Sequence, residues 1–285
     1  MMSCSLPIGV FDSGVGGLSV YQALRVLLPH EDFIYFGDTA RLPYGTKSPE
    51  TVEAYTLGAA RLLRDRGIKF LVVACNTVSA LALNGLQRAM PDLPYCGVIS
   101  AGAEAAVKAT KNGRIAVLAT EGTVNSGVFP DVIKSLKRDT VDVQMLACPV
   151  LVSLAEEGWC EGIEAETLVV RYLKMLAPGY DTLVLGCTHF AFLAPVIRKL
   201  TLPDIAIVDG AEATAQAVKG LLAAREELNP QAGAGKEVFL VSDSSQRFAK
   251  CGKNFLGRDI ASQVELADFA DLPLENPIKP IDSCV

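Results

Sequence analysis

Apolar runs of about four to six residues punctuate this chain. Each gives way to glycine or small polar residues, and then to a segment with helical spacing. Runs of this length without alternation read as strands buried on both faces of a parallel sheet. Strands are expected at 8–11, 33–36, 69–74, 95–99, 114–118, 141–147, 181–186, around 207–208, and at 237–242. Helices are expected at about 18–28, 49–66, from Cys75 to Met90, from Ser100 onward, at 162–176, from Pro195, at 211–227 and at 246–255. Gly67 stands where the helix 49–66 needs a left-handed cap. Pro91 and Pro94 break the segment after Cys75. Residues 37–45 and 119–123 read as turns at strand ends, 229–236 as a polar linker, and the residues after 255 as a loose tail. Strands alternating with helices point to the α/β class.

Two of these runs organise the rest: Val72-Val73-Ala74-Cys75-Asn76-Thr77 and Leu183-Val184-Leu185-Gly186-Cys187-Thr188-His189. Each cysteine falls where strand gives way to helix, the place where open α/β sheets bind ligands. The cysteines are 112 residues apart (187 − 75). Ile8 and Ile115 align at an offset of 107, and Val98-Ile99 and Ile207-Val208 at 109. Such near-constant offsets suggest two similar α/β halves, although strand–turn–helix units are common enough to align by chance. The first half would comprise residues 1–97 and 210–285, and the second 98–209, so that the chain leaves the first half and returns to it.

Composition narrows the chemistry. The 285 residues are 50% hydrophobic and 20% charged, which suits one large or two medium domains with a sizeable core. A net charge of −6 without a basic stripe argues against nucleic acid as a partner. No apolar run is long enough to span a membrane, and the N-terminal residues lack the features of a secretory signal, so a cytoplasmic protein is expected. The eight cysteines are scattered and form no CxxC pair, unlike a disulfide framework. With only two histidines, His30 and His189, no metal-ligand spacing fits. No lysine lies in a context suited to pyridoxal phosphate, so no cofactor is called for.

A buried cysteine more often packs than reacts. Here the repetition, and the polar Asn-Thr and Thr-His that follow, favour two thiols facing one substrate. A redox pair would need the sulfurs in contact, and a cysteine hydrolase would leave the second thiol idle. Acid–base work on two faces of one carbon uses both: one thiolate removes a proton and the opposite thiol returns one. Asn76, Thr77 and Thr188 at the two helix starts could hydrogen-bond the carboxylate of the carbanion-like state. In the glycine-rich turn Asp12-Ser13-Gly14-Val15-Gly16-Gly17, the carboxylate argues against a phosphate site. Asp12 would serve as a proton partner, a contact for a substrate ammonium or simply a helix cap. Arg41 is expected to pair with Asp38 within its loop.

Several stretches together resemble the glutamate racemases of the aspartate/glutamate racemase superfamily. They are Gly9 to Gly17, Gly37 to Gly45, Ala74-Cys75-Asn76-Thr77, Ala147-Cys148-Pro149 with Glu156 and Gly158, and Gly186-Cys187-Thr188-His189. The resemblance runs over nearly the whole chain. It implies two similar doubly wound α/β domains related by a pseudo-twofold, with the site in the cleft between them. It implies cofactor-independent interconversion of L- and D-glutamate, supplying D-glutamate for bacterial peptidoglycan. Cys75 would serve the D-enantiomer, assisted by Asp12, and Cys187 the L-enantiomer, assisted by Glu156 and His189. Glu156 is chosen over Glu157 because it lies eight residues after Cys148, as the family's acid does. Substrate contacts would fall on Asp12, Ser13, Tyr44, Gly45, Asn76, Thr77, Thr120, Thr123, Thr188 and His189. Homodimers are common in the family, with varied packing. The chain departs from the family at Ser100-Ala101, where Glu-Pro is usual, and at Ala191, where proline is.

Three rivals stay open: a racemase of aspartate or another acidic amino acid, a one-cysteine hydrolase or decarboxylase, and a binding protein that exchanges no α-hydrogen. Replacing either thiol by a near-isosteric hydroxyl separates them. Cys75→Ser and Cys187→Ser are each expected to lower glutamate turnover by about 10²–10⁴-fold while circular dichroism reports a folded protein. Full activity in Cys75→Ser would instead favour the one-thiol enzyme.

Overall fold

The structure is a computed structural model and describes residues 4–137 and 141–271. Among them are ten strands: β1 (Ile8–Asp12), β2 (Phe33–Gly37), β3 (Phe70–Val73), β4 (Tyr95–Gly97), β5 (Arg114–Ala119), β6 (Asp142–Ala147), β7 (Thr182–Gly186), β8 (Ala206–Asp209), β9 (Glu237–Val241) and β10 (Val264–Leu266). They form two parallel sheets, ordered β10-β9-β2-β1-β3-β4 and β6-β5-β7-β8. β1, β3 and β7 are buried along their whole length, as unbroken apolar runs require.

The repeat is visible in this order. β2-β1-β3-β4 in one sheet and β6-β5-β7-β8 in the other are the same walk along the chain. In each, the chain steps to one side of the first strand and then returns to the other side. That reversal leaves a crevice at the C-terminal ends of β1 and β3, and of β5 and β7. Cys75 and Cys187 follow β3 and β7. β9 and β10 extend only the first sheet, which brings the end of the described chain back to its beginning.

Several local expectations are corrected. Val98 and Ile99 do not continue a strand; they open the helix Val98–Ala109. The Val98 N–H donates to Ser79 Oγ at 3.2 Å, outside any ladder. The matching landmark is the helix start at Gly210, and 210 − 98 equals the cysteine offset of 112. The helix after Cys75 is two, Asn76–Leu81 and Leu83–Ala89, separated by Ala82 at φ −123°. The turn at 119–123 leads directly into a helix, Glu121–Ser126, whose N-cap Thr120 accepts from the Thr123 N–H. Residues Pro149–Glu156 are helical. The tail after 255 is not wholly loose, since it supplies β10 and the short turns Ala261–Gln263 and Phe269–Asp271; residues 272–285, with Cys284, lie outside the described residues. The expected cap of the helix Pro49–Asp65 is found, with Gly67 following it at φ +79°, and Ser48 caps its start.

One buried ion pair ties the ends of these elements together. Lys69 Nζ donates to Glu31 Oε2 at 2.6 Å, and to the Cys4 and Glu227 carbonyls at 2.6 and 2.7 Å. Glu31 Oε1 accepts from the Asn229 N–H at 2.7 Å. The two side chains are 1% and 2% exposed, so losing one partner strands a buried charge. Lys69→Met is expected to lower the unfolding free energy by about 3–5 kcal/mol in urea titrations. Adding Glu31→Gln should restore part of that loss.

Candidate active site

Strand ends bring the reactive groups to one small cavity. Its walls include Cys75 and Cys187 together with Ser13, Tyr44, Gly45, Asn76, Thr77, Thr120, Glu156, Thr188 and His189. Both cysteines therefore border a single space. The volume that water centres can reach is ≈ 20 Å³, room for one or two waters and not for an amino acid. Both thiols are almost fully buried.

On the Cys75 side, Sγ lies 3.6 Å from Ser13 Oγ, and the Val78 N–H of the following helix also points to it. Burial, and then the neighbouring Asp12 carboxylate, push the Cys75 thiol up to about 12. Asp12 itself is fully buried. Desolvation raises its pKa, against the opposing pull of His189, the Gly14 N–H at 2.9 Å and the Thr188 hydroxyl at 3.4 Å. Asp12 thus caps its own turn, and in this closed arrangement it stands behind the wall.

The Cys187 side is built differently. His189 follows two residues later in a 3-10 turn, Thr188–Ala191, and places Nδ1 3.7 Å from Cys187 Sγ. Its Nε2 is 3.2 Å from Glu156 Oε1. The N–H is too far off line for a hydrogen bond, so this contact is an ion pair and Nε2 has no aligned partner. Burial alone would lower the His189 pKa, but Cys187 and Glu156 outweigh it and raise it to about 10. The imidazole is thus a stable home for a proton. Glu157 turns away to pair with Arg247 at 2.8 Å.

Hydroxyls and a buried loop complete the walls. Thr77 Oγ1 and Thr120 Oγ1 are 2.9 Å apart across the two halves, and Thr120 Oγ1 lies 3.0 Å from Thr123 Oγ1. Thr123 does not line the cavity; it holds Thr120. Tyr44 donates to Asp38 at 2.6 Å, and the same carboxylate accepts from Arg41 at 2.7 Å and Ser242 at 2.6 Å. Arg41 is therefore a loop brace, as its spacing suggests. Its guanidinium also sits 4.1 Å from the centre of the Phe269 ring and pairs with Asp268.

Pro43 and Val152 also line the cavity and were not foreseen. Val152 had a legible signal, lying one helical turn before Glu156. Ser100 and Ala101 fall within the helix Val98–Ala109 and Ala191 ends the 3-10 turn, and none of the three lines the cavity. Among the described residues, no group of three or more His, Cys, Asp and Glu is arranged to hold a metal ion.

A family model for Asp/Glu/hydantoin racemases matches residues 8–218 of the chain. A glutamate racemase of Geobacter metallireducens is 48% identical over 251 residues, which are 88% of this chain and 92% of that protein. The solved glutamate racemase of Francisella tularensis, in complex with D-glutamate, superposes with a TM-score of 0.86 at 33% identity, covering 93% of this chain and 98% of that one. For the isoform RacE1 of Bacillus anthracis the TM-score is 0.88 at 35% identity, with 92% and 97% covered.

Close packing at one glycine fixes the imidazole. A Cβ at Gly16 would lie 2.4 Å from Thr188 Oγ1 and 2.7 Å from His189 Nδ1. Gly16→Ala must therefore displace the groups beside Cys187. It is expected to lower kcat/KM by about 10²-fold, the scale of a 1 Å misplacement, with little change in the thermal midpoint.

Proposed function

This chain belongs to the Asp/Glu/hydantoin racemase family, and we propose that it interconverts L- and D-glutamate through Cys75 and Cys187, acting from opposite faces of the α-carbon. The observation that carries this reading is the single closed cavity bounded by both thiols, each at the end of the equivalent strand of its sheet. The relatives that cover most of the chain act on glutamate by name, which favours glutamate over aspartate.

In the L-to-D direction Cys187 takes the α-proton and Cys75 returns one to the other face. The resting arrangement suits that order. A protonated His189 is the counter-ion for a Cys187 thiolate, while Cys75, pushed up to about 12, holds its proton ready to give. The reverse reaction exchanges the roles, and Asp12 would then assist Cys75. The carbanion-like state places charge on the α-carboxylate. Asn76, Thr77, Thr120 and Thr188 are the donors at hand, in a site dry enough to strengthen each hydrogen bond. The thiols and these donors suffice for the chemistry, and no cofactor enters the proposal.

Among the described residues no helix is long and apolar enough to cross a membrane. We place the enzyme in the cytoplasm, supplying D-glutamate for peptidoglycan, and as a homodimer in keeping with its family resemblance.

Circular dichroism tests the reaction directly. Either pure enantiomer of glutamate should lose its rotation to zero, and a change with aspartate alone would overturn the choice of substrate. The pH profile tests the Cys187 side. Glu156 helps to raise His189, so Glu156→Gln lets its pKa fall. The alkaline limb of kcat/KM for L-glutamate should move to lower pH by about 1–3 units. The sign for stability is the same: with a folded pKa of about 10 against 6.5, the charged imidazole's contribution is full below 6.5 and lost as pH rises through 10.

A further inference from the structure

Two residues near the end of the described chain reach back to a loop that walls the cavity. That loop follows β2 and brings Tyr44 and Gly45 to the closed space. Gly45 also meets Thr120 of the other half, so closely that a Cβ there would lie 2.6 Å from its side chain. The loop is thus both a wall of the site and a point where the halves touch.

The hub of the loop is the fully buried Asp38 carboxylate. Its Oδ2 accepts from the Tyr44 hydroxyl at 2.6 Å. Its Oδ1 accepts from Arg41 at 2.7 Å and from Ser242 Oγ, just after β9, at 2.6 Å. Arg41 supplies the counter-charge, and the tail holds the other edge of its guanidinium. Arg41 Nη2 donates to the two oxygens of Asp268 at 2.8 and 3.0 Å. The guanidinium lies 4.1 Å from the centre of the Phe269 ring, within cation–π range. Phe269 is itself seated on the first half. Its ring centre is 6.3 Å from that of Phe36 and 6.2 Å from that of Tyr55. Gly58 of the helix Pro49–Asp65 allows this approach, since a Cβ there would lie 2.4 Å from the ring. Tyr55 in turn is 5.6 Å from Tyr44, centre to centre. One ionic route and one aromatic route therefore run from the tail to Tyr44.

We propose that Asp268 and Phe269 are positioning residues of the active site: the tail clamps Arg41 onto Asp38 and so holds the loop bearing Tyr44 and Gly45 in the shape that receives substrate. This rests on the racemase reading and gives a part in it to a segment remote in sequence from both thiols. Neither residue lines the cavity. A loosened loop should weaken ground-state and transition-state binding alike, which raises KM and spares kcat. L- and D-glutamate have equal free energies in water, so kcat/KM must fall by the same factor from either side.

The test compares full-length variants with the unaltered protein in two ways. Circular dichroism follows racemisation, and mass spectrometry follows amide hydrogen exchange in the peptide spanning Asp38 to Lys47. Asp268→Asn and Phe269→Ala are each expected to raise KM for both enantiomers about tenfold, the scale of one partly buried ionic or cation–π contact, with kcat held within about threefold. Exchange in the loop peptide should quicken by about the same factor. Phe269→Tyr, which keeps a ring over the guanidinium, should stay near the unaltered protein in both measurements. Adding Asp268→Asn to Arg41→Gln should raise KM no further than Arg41→Gln alone. Lys69→Met, at the opposite ends of the strands, controls for lost stability and should leave KM unchanged. An unchanged KM, unchanged loop exchange, a loss carried by kcat alone, or additive effects of the Arg41 and Asp268 variants would each overturn the clamp. If the unaltered protein racemises no glutamate, the racemase reading fails separately, and loop exchange still decides whether the tail holds the loop.

Discussion

Desolvation governs this site. Two sulfurs, a carboxylate and an imidazole are placed in a space that admits one or two waters. Each must then find its counter-charge in the protein or hold its neutral form. Burial is the largest influence on Cys75 and on Asp12, and it raises both. It is also the largest on His189, but there Cys187 and Glu156 reverse its sign. One closed space thus keeps a proton on one sulfur and gives the other a cation.

The two halves repeat in backbone and differ in chemistry. Equivalent strands, β3 and β7, deliver a cysteine to the same depth, which is what action on opposite faces of one carbon requires. The supporting groups do not repeat. The first half offers Ser13 and a carboxylate on the turn after β1, and the second offers a histidine two residues beyond the thiol and a carboxylate at the end of a short helix. Thr77 and Thr120 join the halves by a hydrogen bond between their hydroxyls. Gly45 lets the loop approach Thr120, whose side chain would lie 2.6 Å from a Cβ at that position. Each half therefore supplies part of the wall around the other's thiol.

Much of this was legible in the chain because buried parallel strands leave a strong signal. The apolar runs before Cys75 and Cys187 could hardly be anything else, and their spacing anticipated the matching strand order of the two sheets. Where the signal was local and weak, tertiary contacts decided. Val98 and Ile99 are β-branched and read as strand, yet they begin a helix whose faces pack into two different cores. β10 has only three residues and pairs by register with β9, which no periodicity could announce. At the site, the residues named from sequence mostly meet at one cavity, with Asp12 and Thr123 set behind it. Arg41 was separated from catalysis by its spacing to Asp38. The off-line contact between His189 and Glu156 could not be read, since it depends on how a helix and a 3-10 turn distant in sequence come together.

Closure has a consequence for substrate entry. An amino acid does not fit a space of this size, so the walls of the site must move for glutamate to bind and leave. The hydrogen bond between Thr77 and Thr120 and the approach of Gly45 to Thr120 are contacts such a movement would break. The Thr188–Asp12 hydrogen bond, the Arg247–Glu157 ion pair and the Phe192–Phe255 stack also join the halves. The Cys187–His189–Glu156 chain lies within the second half, so opening can leave it intact. Substrate exchange and restoration of the thiol protons can then be served by one motion.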